Sequence, residues 1–268
     1  MTDEVQTFDV VVIGSGVAGI TAALCAAQAG YRVIVLERDD APPERPGETL
    51  HPGIGPVFET LGVLDEVERV ALSRPLGLIH RNGAKTTREP YGEDDDGSWR
   101  GYHINRADLQ TVLVERARQL GAQFDFNCAA ADLTKPSADA LLIETPELAF
   151  ACRWLVDATG MAGWSSRKTK TSYRSASAQF SVCYGYHATS PTDPSSEWPV
   201  FSQTGQGWSF KAALGNGTTA WLQTVEDNAQ GRELVKSGAK AQDGTWKVSC
   251  HPARDRVFRE GDCAARIG

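Results

Sequence analysis

The sequence has no uninterrupted apolar run that approaches the roughly 20 residues a membrane span needs. Positive charge is also scarce, since 27 lysines and arginines stand against 34 aspartates and glutamates, which gives a net charge of −7. This balance disfavours nucleic acid and anionic membranes as main partners, because both attract basic patches. Residues 1–7 lack the basic and apolar regions of a secretory signal. We therefore expect a cytoplasmic protein without a membrane span.

Residue pairs that form metal sites or disulfides are missing as well. The six cysteines include no C-x-x-C pair and the five histidines are isolated, so the sequence predicts no metal site. Without a secretory signal, we expect reduced and mostly buried thiols. A chain of 268 residues, 41% of them hydrophobic, suits one or two globular domains.

The clearest pattern lies in the first forty residues. The apolar, β-branched run Phe8–Ile13 predicts a buried parallel strand, and the turn G-S-G-V-A-G follows it at residues 14–19. An alanine-rich stretch, Val17 to about Ala29, predicts a helix, and residues 31–36 predict a second buried strand that ends at Glu37. This order of strand, helix, strand and carboxylate is the context in which a G-x-G-x-x-G turn binds a dinucleotide.

The three glycines of the turn have different physical tasks. Gly14 permits the tight bend, Gly16 leaves room for a pyrophosphate, and Gly19 lets helix and strand approach closely. The helix N-terminus adds free N–H groups and the positive end of its dipole. The candidate cofactor-binding residues of this unit are Gly14, Gly16, Val17, Ala18, Gly19, Glu37 and Arg38. Glu37 can accept hydrogen bonds from ribose hydroxyls and disfavours a 2′-phosphate, so NAD and FAD both remain open while NADP is disfavoured.

The rest of the chain carries coarser signals. Residues 39–56 are broken by proline and glycine, Val57–Leu72 predicts one or two short helices, and Arg106–Leu120 predicts an amphipathic helix. Short strands are predicted at Gln123–Phe126, Ala129–Leu133, Leu141–Glu144 and Trp154–Val156. From Ala176 the pattern changes to alternating strands that predict an antiparallel sheet.

We divide the chain accordingly. The nucleotide-binding domain covers residues 1–174, with an excursion at residues 39–100. An antiparallel β domain covers residues 175–250, and residues 251–268 return to the first domain.

Three further segments, together with the N-terminal glycine turn, resemble segments of a known protein family. They are G-E-T-L-H-P at residues 47–52, Y-H-I-N-R-A-D-L at residues 102–109, and L-V-D-A-T-G at residues 155–160, followed by two serines and an arginine at residues 165–167. In this order they resemble the flavin-dependent monooxygenase and halogenase family, whose FAD fold is of the glutathione-reductase type. The resemblance implies an α/β fold with a Rossmann-like FAD-binding domain and a mostly antiparallel β-sheet substrate domain, and FAD as the dinucleotide.

The same resemblance implies which residues contact FAD. They are Glu48, Thr49, Arg106, Asp157, Gly160 and, in the G-D-C-A-A segment at residues 261–265, Asp262. His51 is a weak catalytic candidate. Taken alone, Arg106 is also compatible with a helix-surface cation, and Asp157 with a turn-forming aspartate. The chain resembles roughly the first two-thirds of a family member and is C-terminally truncated relative to the family.

The implied function is that of an FAD-dependent monooxygenase. In this family, reduced FAD reacts with O2, and a flavin hydroperoxide hydroxylates an electron-rich substrate. The substrate would be an aromatic small molecule or a tryptophan in a partner protein or peptide. NAD(P)H that docks transiently, or a separate flavin reductase, would supply electrons, since no second glycine fingerprint opens a helix.

Other functions remain open. Halogenation is disfavoured because residues 53–83 contain no lysine, which halogenases of this family use there, and because residues 207–214 replace the expected second tryptophan and proline with Phe210 and Ala213. A flavin-dependent reductase or dehydrogenase is the alternative within flavin chemistry. An inactive FAD-binding fragment is the alternative outside catalysis.

Overall fold

A computed structural model of the chain describes residues 5–42, 49–137, 139–169, 180–190, 197–204, 207–226, 245–253 and 264–266. Two candidate site residues from the sequence, Glu48 and Asp262, lie outside these ranges.

The elements of the first half are, in chain order, β1 (Val5–Ile13), α1 (Val17–Gln28), β2 (Val33–Leu36), β3 (Thr49–Leu50), α2 (Gly55–Leu61), α3 (Leu64–Val70), β4 (Ala71–Ser73), β5 (Gly77–Asn82), β6 (Lys85–Pro90), β7 (Glu93–Asp94), β8 (Gly97–Ser98), β9 (Tyr102–Ile104), α4 (Arg106–Gln119) and β10 (Gln123–Asp125). Those of the second half are β11 (Asp132–Ser137), β12 (Ala140–Glu144), β13 (Ala149–Asp157), α5 (Trp164–Lys168), β14 (Phe180–Ala188), β15 (Val200–Thr204), β16 (Gly207–Ala213), β17 (Thr218–Glu226), β18 (Thr245–Ala253) and β19 (Ala264–Arg266). Short 3-10 turns occupy Pro52–Ile54 and Gly160–Ala162.

The first large sheet has the strand order β10-β2-β1-β13-β12-β11, and β19 also pairs with β13. Strand β1 runs parallel to both β2 and β13. The predicted strand–helix–strand unit is confirmed. Its second strand begins at Val33 rather than at Tyr31, because the Tyr31 N–H closes the end of α1 by donating to the Ala26 carbonyl at 3.1 Å.

Apolar layers cover both faces of this sheet. On one face, helices α1 and α4 bury Ile20, Ala23, Leu24, Leu109, Leu113 and Ala117 against strand residues. On the other face, a second apolar cluster joins the ring of Trp164 with Val11, Ile13, Ile34, Leu36 and Leu155. Because both faces are buried, the sequences of the central strands are continuous apolar runs, as predicted.

The strand predicted at Ala129–Leu133 is displaced along the chain. The structure forms it at Asp132–Ser137 instead. The Ala130 carbonyl accepts a hydrogen bond from the Trp164 indole nitrogen at 2.8 Å, so it serves a side chain and not a strand neighbour. The strand contains Pro136, which is tolerated because β11 is the last strand of the sheet order.

The second large sheet has the order β18-β14-β17-β16-β15-β5-β6. Its strands pair antiparallel except β15 and β5, which run parallel. The predicted mostly antiparallel sheet is therefore confirmed. Strands β5 and β6 come from the 39–100 excursion, a contribution that the sequence pattern did not predict.

The cysteines depart from expectation at one position. Cys25, Cys128 and Cys152 are free, and burial raises the pKa of Cys128 to about 12 and that of Cys152 to about 11. Cys183 is disulfide-bonded, so the expectation of a reduced thiol is wrong there. Strand pairing sets Cys183 of β14 directly opposite Cys250 of β18, a juxtaposition that residue spacing does not reveal.

Buried His103 connects a small third sheet with the second large sheet. Strands β3, β9 and β4 form a small antiparallel sheet in which His103 lies opposite both Thr49 and Ser73. Its side chain is fully buried, and Nδ1 lies 2.8 Å from the Ser73 hydroxyl. Burial lowers the pKa of His103 to about 4, and a backbone hydrogen bond with Ala213 of β16 offsets only part of that effect. The imidazole is neutral in the folded protein above this value.

The stability of the fold should therefore fall in mild acid. Below the ordinary histidine pKa of 6.5 the unfolded chain binds a proton that His103 in the folded chain does not bind until about pH 4. This difference removes about 3 kcal/mol of unfolding free energy as the pH falls through that window. Denaturant unfolding from pH 7 to pH 4 should show the loss in the wild type and a smaller loss in His103→Gln.

His51 supplies the matched control because its side chain is exposed. The His51→Gln variant should keep the wild-type pH dependence. Equal pH dependence in His103→Gln and the wild type would contradict the assignment of this loss to His103.

Candidate functional site

The glycine turn lies at the carboxyl edge of the first sheet, where β1 and β13 end side by side. Gly14 has a φ of +101°, and a Cβ there would lie 2.7 Å from the Ala158 carbonyl oxygen. A Cβ on Gly19 would lie 1.9 Å from the Gly14 carbonyl oxygen. Both glycines are therefore required by the fold itself, because a side chain at either position would collide with backbone.

Gly16 differs from its two neighbours. A Cβ at this position would meet no protein atom of the described structure within 4 Å, and the backbone angles, φ −65° and ψ 169°, suit any residue. Gly16 is also the N-cap of α1, and no side chain caps that helix end. The space beside Gly16 is therefore open at the end of α1 where the first N–H groups, at Val17 and Ala18, have no side-chain cap, as a phosphate group requires.

Glu37 is held beside this space by the turn. Its Oε2 accepts hydrogen bonds from the Ser15 N–H at 2.7 Å and from the Ser15 hydroxyl at 2.8 Å. Among the described residues, its Oε1 accepts only a longer bond, 3.2 Å, from the Asp39 N–H. The carboxylate is almost fully buried and its orientation is fixed, so Oε1 is the atom suited to a ribose hydroxyl. Ser15 was not predicted as a site residue, because nothing in the G-x-G-x-x-G pattern marks the side chain at that position.

Asp157 ends β13 and organises the next loop. Its Oδ1 accepts hydrogen bonds from the N–H and hydroxyl of Thr159, and its Oδ2 accepts them from the N–H and hydroxyl of Ser165, at 2.6–3.0 Å. Burial favours the neutral acid, but these four bonds outweigh it and lower the pKa of Asp157. All four contacts are internal, so the carboxylate shapes the loop that includes Gly160, and its predicted contact with FAD stays a prediction.

Arg106 is the first residue of α4. It follows Asn105, which in turn follows the last residue of β9. The Asn105 side chain caps this helix by accepting a hydrogen bond from the Ala107 N–H at 2.9 Å. One helical turn beyond Arg106, the buried Gln110 side chain donates to the Ser15 carbonyl at 3.3 Å. The structure thus brings the start of α4 to the glycine turn, although 95 residues separate the two.

Three other candidates have more peripheral surroundings. The exposed His51 accepts a hydrogen bond from the Gly53 N–H at 3.1 Å through Nδ1, and its ring meets Tyr91 edge-on with centroids 5.0 Å apart. Arg38 is exposed and lies 3.7 Å from the Asp39 carboxylate. Thr49 is half-buried in β3. Their predicted roles stay predictions.

The described ranges hold neither a metal-binding cluster nor a membrane-length apolar helix. Within them, no group of three or more histidine, cysteine, aspartate or glutamate side chains is arranged to hold a metal ion. None of the helices described has both the length and the apolar character that crossing a bilayer demands.

Comparison with known proteins gives the family. Residues 7–224 match the FAD binding domain family, and this range includes the glycine turn, Glu37, Arg106 and Asp157. The chain belongs to that family. The FAD-binding domain places the chain among flavin-dependent oxidoreductases, a group whose members include monooxygenases and halogenases.

Individual relatives agree with this family. The chain is 25% identical to a 1H-pyrrole-2-carbonyl-[peptidyl-carrier protein] chlorinase of Pseudomonas fluorescens, over 57% of this chain and 39% of that protein. Among solved structures, the myxobacterial chondrochloren halogenase CndH aligns with a TM-score of 0.83 at 20% identity, over 98% of this chain and 68% of that one. The p-nitrophenol 4-monooxygenase PnpA of Pseudomonas putida aligns with a TM-score of 0.82 at 16% identity, over 98% and 73%.

The two structural matches show a shared fold. They confirm the expected fold class, a Rossmann-like FAD-binding part combined with a mostly antiparallel sheet. The chain matches between 28% and 49% of the length of its curated relatives and about 70% of these two structures.

The geometry of Gly16 leads to a sharp prediction. Gly16→Val should lower the unfolding free energy of the apoprotein by no more than about 1 kcal/mol, the cost of valine at an N-cap, because a Cβ there meets no protein atom within 4 Å. It should weaken FAD binding by about 100-fold or more, because the side chain would occupy the space of the pyrophosphate. Flavin fluorescence titration and denaturant unfolding measure the two quantities.

Gly19→Ala is the matched contrast. Its Cβ would collide with the Gly14 carbonyl, so this variant should lose stability before any ligand is added. Normal FAD affinity in Gly16→Val would contradict the placement of the cofactor.

Asp157 should behave differently from Gly16. Asp157→Ala removes four hydrogen bonds to a buried carboxylate and should lower the unfolding free energy by about 3 kcal/mol at neutral pH. It should weaken FAD binding less than Gly16→Val does. The lowered pKa means that the stabilisation is present at neutral pH and is lost as the pH falls through the acid range of the folded carboxyl.

Asp9→Ala serves as the control for that variant. Asp9 is a half-buried aspartate that accepts one backbone hydrogen bond, from the Arg32 N–H at 2.8 Å, and lies 3.5 Å from the Arg32 guanidinium. Its removal should cost under about 1 kcal/mol. A loss in Asp157→Ala no larger than that in Asp9→Ala would show that the loop does not depend on Asp157.

Proposed function

We propose that this chain forms the cofactor-binding and substrate-binding parts of an FAD-dependent monooxygenase that hydroxylates an electron-rich aromatic compound. The observation that carries the proposal is the open space over Gly16, which faces an uncapped helix N-terminus and has the fixed Glu37 carboxylate beside it. Bound FAD would supply the activation of O2. The residues of the chain bind and orient the cofactor.

The roles of the residues follow from their surroundings. The N–H groups of Val17 and Ala18 bind the pyrophosphate, and Glu37 Oε1 binds the adenosine ribose. Arg106, half-buried at the start of α4, adds a positive charge to the same region. Asp157 keeps the loop after β13 in place through Thr159 and Ser165. None of these side chains needs to act as a catalytic acid or base in the proposed reaction.

The second sheet offers a surface for an aromatic substrate. His80, Phe201 and Phe210 lie in register across β5, β15 and β16, and each is half-buried. The rings of Phe201 and Trp208 stack with centroids 5.5 Å apart. Flat apolar rings of this kind bind aromatic compounds by stacking and edge contacts. The substrate is a small molecule or a tryptophan of a partner protein, and the relationship to a chlorinase of a carrier-bound pyrrole supports a protein-bound substrate.

A flavin-dependent reductase or dehydrogenase is the second candidate. Halogenation is the third, and the absence of lysine from residues 53–83 together with Phe210 and Ala213 in β16 argues against it. The electron donor is NAD(P)H or the product of a separate flavin reductase.

Cofactor binding is tested first. The purified chain should bind FAD with a dissociation constant in the micromolar range or below, measured by quenching of flavin fluorescence. The Gly16→Val variant serves as the negative control. Affinity no better than millimolar would overturn the proposal in favour of an inactive fragment.

Oxygen transfer is tested next. The FAD-loaded chain, reduced by dithionite under argon, is mixed with ¹⁸O2, chloride and a panel of phenols, indoles and tryptophan peptides. One labelled oxygen atom in a product, detected by mass spectrometry, supports hydroxylation. A chlorinated product would establish halogenation instead. Reoxidation of the flavin that releases hydrogen peroxide and leaves every substrate unlabelled would favour the reductase.

A further inference from the structure

Gln110 is a polar exception on an apolar helix face. The buried residues of α4 are otherwise Leu109, Val112, Leu113, Val114 and Ala117. Gln110 is only 1% exposed, and its Oε1 has no hydrogen-bond partner within the part of the chain that the structure describes. A buried amide with one unpaired oxygen contributes less to the stability of the fold than an apolar side chain of the same size. Stability of the apoprotein therefore does not explain why a glutamine occupies this position.

The one contact that the amide makes is with the glycine turn. Its Nε2 donates to the Ser15 carbonyl oxygen at 3.3 Å. The carbonyl can only accept, so the nitrogen of the amide must face it, and the oxygen must point away. Ser15 is held from its other side by Glu37, which accepts both its N–H and its hydroxyl. Ser15 is thus clamped between a carboxylate from the end of β2 and an amide from α4.

This clamp sets the direction of the next N–H group. The Ser15 carbonyl and the Gly16 N–H belong to one planar trans peptide, so they point in opposite directions. When Gln110 holds the carbonyl towards α4, the Gly16 N–H is directed away from that helix. Gly16 itself has no side-chain contact that could fix the plane, and glycine is the residue with the most freedom to rotate.

We propose that Gln110 is a positioning residue for the pyrophosphate of the bound dinucleotide. Through the Ser15 carbonyl it fixes the Ser15–Gly16 peptide, so that the Gly16 N–H already has its direction, beside the Val17 and Ala18 N–H groups, before the ligand binds. Binding then costs little ordering of the turn. This inference rests on the proposed dinucleotide site, and it concerns the half of the ligand that contains adenosine and the two phosphates.

The first test replaces the amide with an apolar chain of similar length. Gln110→Met should leave the melting temperature of the apoprotein unchanged or higher. The dissociation constant should rise about tenfold for ADP, measured by calorimetry, and by the same factor for FAD, measured by fluorescence. Equal factors are expected because ADP carries the part of FAD that the turn binds.

Gln28→Met provides the matched control. Gln28 makes the same kind of bond, from Nε2 to the Thr60 carbonyl at 3.1 Å, at the far end of α1 from the turn. This variant should bind ADP and FAD as the wild type does. Wild-type affinity in Gln110→Met would overturn the inference, and so would a loss of affinity accompanied by a matching loss of apoprotein stability.

A second variant gives a signature that a purely structural role would not produce. In Gln110→Glu the protonated acid can donate to the Ser15 carbonyl, whereas the ionised form repels it. The ADP affinity of this variant, divided by that of the wild type at the same pH, should be near one at low pH and should fall as the carboxyl ionises. Burial raises the pKa of such a carboxyl, which brings the change into a measurable range. A ratio that does not vary with pH would overturn the inference.

The outcomes also separate this inference from the proposed function. If the wild type binds ADP and FAD and the Gln110 variants behave as expected, the inference stands even where no hydroxylated product forms. If the wild type binds neither ligand, the dinucleotide site is wrong and the inference fails with it.

Discussion

The close approach of two chain reversals at the carboxyl edge of the parallel sheet governs this structure. The turn after β1 and the loop after β13 touch where Gly14 meets the Ala158 carbonyl, and the Ala158 N–H donates to the Ile13 carbonyl at 2.9 Å. No side chain fits between them. The first turn of α1 thereby starts close against the sheet, beside the carboxyl ends of β1 and β13.

From that contact, a short series of hydrogen bonds extends outward. Glu37 is joined to Ser15, and Ser15 to Gln110, so that β2, the turn and α4 form one connected group. Asp157 fixes the second loop by a separate set of bonds to Thr159 and Ser165. The buried carboxylates of Glu37 and Asp157 are both balanced by donors from nearby backbone and hydroxyl groups.

The sequence predicted those features that depend on local chemistry. The glycine spacing, the apolar run before it and the carboxylate after β2 are local, and all three were recognised from residues 8–37. The α4 helix was recognised from its apolar face at Leu109, Val112, Leu113 and Ala117. Contacts between distant segments could not be predicted from the sequence. The hydrogen bond from Gln110 to Ser15 and the strand register that sets Cys183 opposite Cys250 both depend on tertiary structure. The shift of β11 had a similar cause, since the Trp164 indole competes for the Ala130 carbonyl.

The parallel pairing of β15 with β5 has a consequence for how this architecture can change during evolution. Strand β5 precedes β10–β13 of the first sheet in the chain and β15 follows them, yet the two lie side by side in the second sheet. If recombination exchanged residues 180–226 alone, a foreign β15 would have to pair with the original β5. Such an exchange should lower stability unless β5 changes with it.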